Sequence, residues 1–187
     1  MTFELNQVLI EGEAQTFSMM ARTGQLTCLT GGTPGRRTRW LLTMQGFLPI
    51  SQGYVCIDGE PLTTSTASDF HQLIAYAPKR LVPTGEVHSY EPPSIQDVFM
   101  LRANRNIPIS NGILGEEMRR IAPQTSDGSV QLLAVAALLD KPILLVDTPM
   151  VLAASYLQSQ ARKGKIVIVA SDRQEIISAS DSVVELS

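Results

Sequence analysis

The chain has 187 residues, 44% of them apolar and 18% charged, with a net charge of −3. That length suits one domain with a sizeable core, and that apolar content argues against disorder. The slight acidity removes the basic footprint of a general nucleic-acid binder, so no nucleic-acid partner is expected.

In chain order, the amino terminus MTFELNQVLIEGE has an acid at position 4 and lacks the basic run of a secretory signal. Phe17 to Met20 and Leu26 to Thr30 read as strands around a turn at Thr23-Gly24. A loop rich in Gly, Pro and Arg follows at 31–38. Trp40, Leu41, Leu42 and Met44 then mark a short helix that ends near Gly46. Tyr54 to Ile57 reads as a strand, with a turn at Asp58-Gly59. Leu73 to Ala77 is a short apolar run that Pro78 stops.

Residues 81–95, with Pro83, Gly85, Pro92 and Pro93, read as a loop or boundary. A short helix is expected over 96–104, and 105–128 gives mixed signals. Gln131 to Leu139 reads as a buried helix and Ile143 to Val146 as an apolar strand of the kind a parallel sheet buries on both faces. A helix over Ser155 to Lys163, a strand over Ile166 to Ala170, a helix over Arg173 to Ala179 and a strand over Val183 to Leu186 complete the chain. The alternation predicts an α/β fold, a mainly parallel sheet flanked by helices.

No apolar stretch reaches the roughly 20 residues of a membrane helix, so a membrane contact would run through a partner. Cys28 and Cys56 each sit in an apolar segment, which suits small buried hydrophobes in a reducing compartment. Neither they nor His71 or His88 show metal-ligand spacing.

The ordered set of segments resembles the ATPase subunit of ATP-binding cassette (ABC) transporters. A strand, a Gly-rich loop, a helix and then GYVCIDGEPL (53–62) are similar to its phosphate-loop region. LIAYAPKR (73–80) resembles the lead into the Q-loop, and QLLAVAALLDKPILLVDTP (131–149) the helix before Walker B and the motif itself. IVIVASDRQEI (166–176) resembles the switch strand. The resemblance implies a P-loop NTPase-like fold and one domain over 1–187. Residues 1–80 and 129–187 would form the core, with 81–128 as a small, reduced helical and signature region.

The motifs depart from the family pattern. A P-loop reads G-x-x-x-x-G-K-[ST], because backbone N–H groups wrap the phosphates closely. The gapless match is Gly31, Gly32, Thr33, Pro34, Gly35, Arg36, Arg37 and Thr38. Arg36 stands where the second glycine belongs and Arg37 where the lysine belongs. Pro34 has no N–H to donate, and arginine's planar fork differs from a slender ammonium. A polar turn leading into a capped helix is the competing reading of these residues. The cluster Arg36, Arg37 and Arg39 either attracts an anion or pairs with the chain's own acids.

By the same resemblance, Thr38 and Asp147 are the magnesium positions. The base carboxylate after Walker B is replaced by Thr148, the switch histidine by Ser171 and the Q-loop glutamine by Lys79. Ser126, Asp127 and Gly128 stand in for the signature motif, with Asp127 like-charged to a γ-phosphate. Phe3 is the remaining candidate for the adenine-stacking aromatic, since Phe17 suits the core better. Losing a positioned base costs about 10²–10⁴ in rate.

The resemblance therefore implies a pseudo-ATPase with weak or no nucleotide hydrolysis, a structural or regulatory subunit of a transporter-like complex. Its cofactors would be ATP and Mg²⁺ if it binds any. Its partners would be an ABC-type ATPase domain in a homo- or heterodimer and a membrane permease subunit. Its place would be the cytoplasm, peripheral to the inner membrane through that partner. An active ATPase coupling hydrolysis to transport and a non-nucleotide interaction module are the alternatives.

Overall fold

The computed structural model describes residues 1–79, 110–124, 128–149 and 153–186. The helix expected over 96–104 and the whole of the 81–95 loop lie outside them.

Strand β1 (Thr2–Ile10) pairs antiparallel with β2 (Phe17–Arg22) and with β4 (Ile50–Ile57), and β4 with the short β5 (Glu60–Pro61). Phe3 and Leu5 face inward at odd positions, Val8 and Ile10 at even ones. Gln7, at φ +49°, absorbs the change of phase as a bulge, and its N–H donates to Ser18 Oγ at 2.9 Å.

The second sheet has the order β6-β7-β8-β3-β9, from β3 (Leu26–Gly31), β6 (Ile74–Ala77), β7 (Ile143–Asp147), β8 (Ile166–Ala170) and β9 (Ser182–Leu186). Every pairing in it is parallel. Strands β7 and β8 are buried along their whole length, as their unbroken Ile/Leu/Val runs require.

This sheet is the middle layer. On one face Leu26, Cys28, Leu144, Val146, Val167 and Val169 pack under helices α3 (Asn111–Ile121), α4 (Gly128–Leu138), α5 (Ala154–Arg162) and α6 (Gln174–Ala179). On the other, Leu29, Leu145 and Ile168 meet Trp40 and Leu41 of helix α1 (Pro34–Thr43) and the inner face of the antiparallel sheet. Helix α2 (Ala67–Leu73) contributes Phe70 there. Phe3 is fully buried in this second cluster, which corrects its candidacy as a stacking aromatic. Phe17 packs against the same cluster, its ring 4.8 Å from that of Trp40.

Helix α3 falls in the stretch of mixed sequence signals. Ser110 caps it, accepting from the Ile113 N–H at 3.3 Å, and its inward face is Leu114, Glu117 and Ile121. Glu117 is buried because the Tyr156 hydroxyl of α5 donates to one of its oxygens and Arg120 Nη1 to the other, the latter at 2.9 Å. No helix among the described residues is long and apolar enough to cross a membrane.

Both thiols are buried. Burial pushes Cys28 up to about 11 and raises Cys56 as well. The unfolded chain therefore ionises first, and stability falls as pH rises above the ordinary thiol value of 9.0. At pH 8 a disulfide-exchange reagent such as DTNB is expected to titrate neither cysteine in the native protein and both in denaturant.

Candidate functional site

The C-terminal ends of the parallel strands bring the candidate residues to one edge, where open α/β sheets place ligands. Leu29 of β3 and Asp147 of β7 both lie opposite Ala170 of β8, so the end of β8 sits between the two motifs.

Strand β3 ends at Gly31, with φ +76°. Gly31 is paired with Leu186, and a Cβ there would lie 2.6 Å from the Leu186 carbonyl oxygen, so only glycine fits. Helix α1 begins at Pro34, earlier than a loop over 31–38 implies. The connection from strand to helix is Gly32 and Thr33 alone. Thr33 is the N-cap and Pro34 holds the first turn, the arrangement proline favours. Thr33 Oγ1 accepts from the Arg36 N–H at 3.2 Å, and the Thr33 carbonyl accepts from the Arg37 N–H at 3.1 Å. Two of the N–H groups that a phosphate loop would present are thus engaged by Thr33, and Pro34 has none. The backbone of this segment is a two-residue turn into a helix capped by Thr33.

The arginines turn to the chain's own acceptors. Arg37 is 1% exposed. Its Nη1 donates to the carbonyls of Gly31 and Gly32 at 3.0 and 3.2 Å, and its Nη2 to Asp172 Oδ2 at 3.0 Å. Its Nε is buried with no partner among the described residues. Arg36 forks onto Glu13, with Nε 2.8 and 2.9 Å from its two oxygens and Nη2 on one of them. Glu13 arrives on the β1–β2 turn, and Arg39 ties the same turn down by donating to the Glu11 carbonyl. Arg36 and Arg37 are thus paired with acids of the chain, and Arg39 with a backbone carbonyl.

Asp147, 5% exposed, collects hydroxyls. Thr38 Oγ1 donates to Oδ2 at 2.7 Å and Thr148 Oγ1 to Oδ1 at 2.9 Å. Burial, and then the Asp147 carboxylate that it hydrogen-bonds, push the Tyr76 phenol above its usual range. Thr38 and Asp147, the positions expected to hold magnesium, are brought together and hydrogen-bonded to each other. Thr148, at φ +49°, has its N–H on the Ala170 carbonyl at 2.9 Å and its hydroxyl on Asp147, so it offers no carboxylate to a water.

Ser171 is fully buried. Its N–H donates to Leu29, its carbonyl accepts from Cys28 Sγ, and its Oγ accepts from the Arg173 N–H at 3.2 Å, ahead of α6. Lys79 is exposed, and Gly128 opens α4. Ser126 and Asp127 lie outside the described residues.

Glu13 and Tyr76 belong to this constellation but went unread in the sequence. The acids of Glu11-Gly12-Glu13, complementary to Arg36-Arg37-Thr38-Arg39, were the available signal for Glu13. For Tyr76 it was a lone polar tip in an apolar strand.

No family model and no curated protein matches the sequence. Solved structures do match. One is the ATP-binding subunit of an ABC transporter, 16% identical over 100% of this chain and 86% of that one, at TM-score 0.72. A second is cbiO1 from Clostridium perfringens, described as part of the ABC transporter complex cbiONQ. It is 12% identical over 98% of this chain and 83% of that one, at 0.69. A third is a nucleotide-free ATP-binding cassette from an ABC transporter, 17% identical over 100% and 88%, at 0.67. At these identities the likeness is one of fold, and the chain has the α/β fold of ABC transporter ATP-binding subunits.

Proposed function

We propose that this protein is an ABC-ATPase-like subunit without effective hydrolysis, serving as a structural or regulatory member of a transporter-like complex. The observation that carries the reading is the Arg37 guanidinium, folded into the bend of its own loop and held by Gly31, Gly32 and Asp172. As arranged, residues 31–38 do not fit a triphosphate. Arg37 lies against the carbonyls at the loop's start, Thr33 engages the next N–H groups, and Thr38 is hydrogen-bonded to the carboxylate that would face magnesium. Thr148 supplies no base, and the switch position is a buried serine. No hydrolytic step is therefore assigned to this chain. Nucleotide would bind weakly or not at all, with Mg²⁺ at Thr38 and Asp147 only after those two separate.

The partners proposed are a second ABC-type ATPase domain, of the same or a different chain, and a membrane permease subunit. The protein would sit on the cytoplasmic side of the membrane, held there by that subunit. The fold and the description of cbiO1 as part of a transporter complex support that assignment. Residues 81–125, within the reduced helical and signature region 81–128 of a single 1–187 domain, are proposed as the docking part. The test is steady-state phosphate release with saturating MgATP, wild type beside Asp147→Ala. The expected result is equal, background-level release from both. Wild-type turnover that disappears in Asp147→Ala would overturn the reading in favour of an active ATPase.

A further inference from the structure

We infer that the Arg37–Asp172 ion pair is an internal latch that keeps the phosphate loop closed, so that a carboxylate after β8 sets the anion affinity of residues 31–38. The inference rests on the reading of that segment as a descended phosphate loop.

Arg37 has three acceptors, and two of them, the Gly31 and Gly32 carbonyls, are neutral. Among the described residues Asp172 is its one ion-pair partner. The pair is lopsided: the Arg37 side chain is 1% exposed and that of Asp172 is 61% exposed. The counter-charge of a buried cation thus stands at the surface, on the short β8–α6 connection. Its neighbour Ser171 is anchored to β3 through Leu29. An incoming phosphate would compete with that carboxylate for the Arg37 Nη2 donor, since carboxylate and phosphate oxygens are both charge-assisted acceptors of arginine. While Asp172 is in place it also repels the anion. Arg36 cannot substitute, because Glu13 already holds its fork. Removing the Asp172 carboxylate frees a buried donor and deletes a like charge in one step. Because one partner is solvated, the closure is weak and screened by salt, which makes it reversible.

The test uses the full chain as wild type, Asp172→Ala and Asp172→Asn. Asp140→Asn is the control for net charge, since Asp140 pairs with Lys165 instead. Pyrophosphate binding is measured by titration calorimetry, and amide hydrogen exchange is followed over 31–37. Asp172→Ala is expected to bind pyrophosphate about tenfold tighter than wild type and to exchange those amides about tenfold faster. Asp172→Asn, which keeps an acceptor without the charge, is expected to fall between, and Asp140→Asn to match wild type. Trp40, 1% exposed, reports by its fluorescence that each variant is folded. Unchanged exchange in Asp172→Ala, or faster exchange without tighter binding, would overturn the latch. Either result would leave the proposed function standing, whereas wild-type ATP turnover would remove that function and leave the latch intact.

Discussion

Gly31→Ala is expected to lower the free energy of unfolding by about 3–5 kcal/mol, near the top of the range for a single substitution. Two terms add. An alanine at φ +76° is strained by about 1–2 kcal/mol. Its Cβ would also lie 2.6 Å from the Leu186 carbonyl and 2.9 Å from Glu185 Cγ. The first of these atoms is backbone in a paired strand and cannot step aside without breaking the β3–β9 ladder. Urea unfolding followed by the single tryptophan, Trp40, measures the change, and a melting temperature about 10 °C lower should accompany it. Gly35→Ala is the control: a Cβ at Gly35 meets nothing within 4 Å, and the position lies in the first turn of α1. It is expected to be neutral or stabilising by up to about 1 kcal/mol. A Gly31→Ala protein as stable as wild type would mean that the strand end is not built as described.

Arg36→Gly combined with Arg37→Lys is expected to create nucleotide binding where wild type has little. The lysine cannot span both loop carbonyls and Asp172 with a planar fork, and the glycine withdraws the side chain whose Cδ stands close to Gly32. The change carries a cost. Glu13, with its side chain 5% exposed, loses its partner, and the variant should be less stable by about 1–3 kcal/mol. The readout is therefore each protein's shift from its own ligand-free melting temperature. With ligand at a hundred times Kd the gain is about 2.7 kcal/mol, or roughly 5–10 °C for a chain of this size. The double variant should show such a shift with MgATP and wild type should show none. A large wild-type shift, or none in either protein, would count against a site blocked by its arginines.

The parallel sheet was legible because burial on both faces leaves an unmistakable mark: ILLV before Asp147 and IVIVA before Ser171 could hardly lie elsewhere than in its centre. Strand β1 escaped notice because Gln7 shifts its inward face from odd to even positions, so no single period runs through it. Helix α3 was hidden by Gly112 and Gly115 and by Glu117, a charge on the inward face that Tyr156 and Arg120 make tolerable. The residues of the candidate site could be named from the order of motifs, but their partners could not. Asp172 is 135 positions from Arg37 and Asp147 is 109 from Thr38, distances that only the register of three parallel strands closes. The early start of α1 had a local signal in Thr33-Pro34, an N-cap followed by proline, which the loop reading of 31–38 overrode.

A crystal structure grown in excess MgATP is the most direct measurement of whether arginine or phosphate fills the bend after β3. The expected map keeps Arg37 on the Gly31 and Gly32 carbonyls and on Asp172, with no phosphate ordered against residues 31–38. A triphosphate lying along that segment, with Arg37 swung away and Thr38 parted from Asp147 by a metal ion, would contradict it.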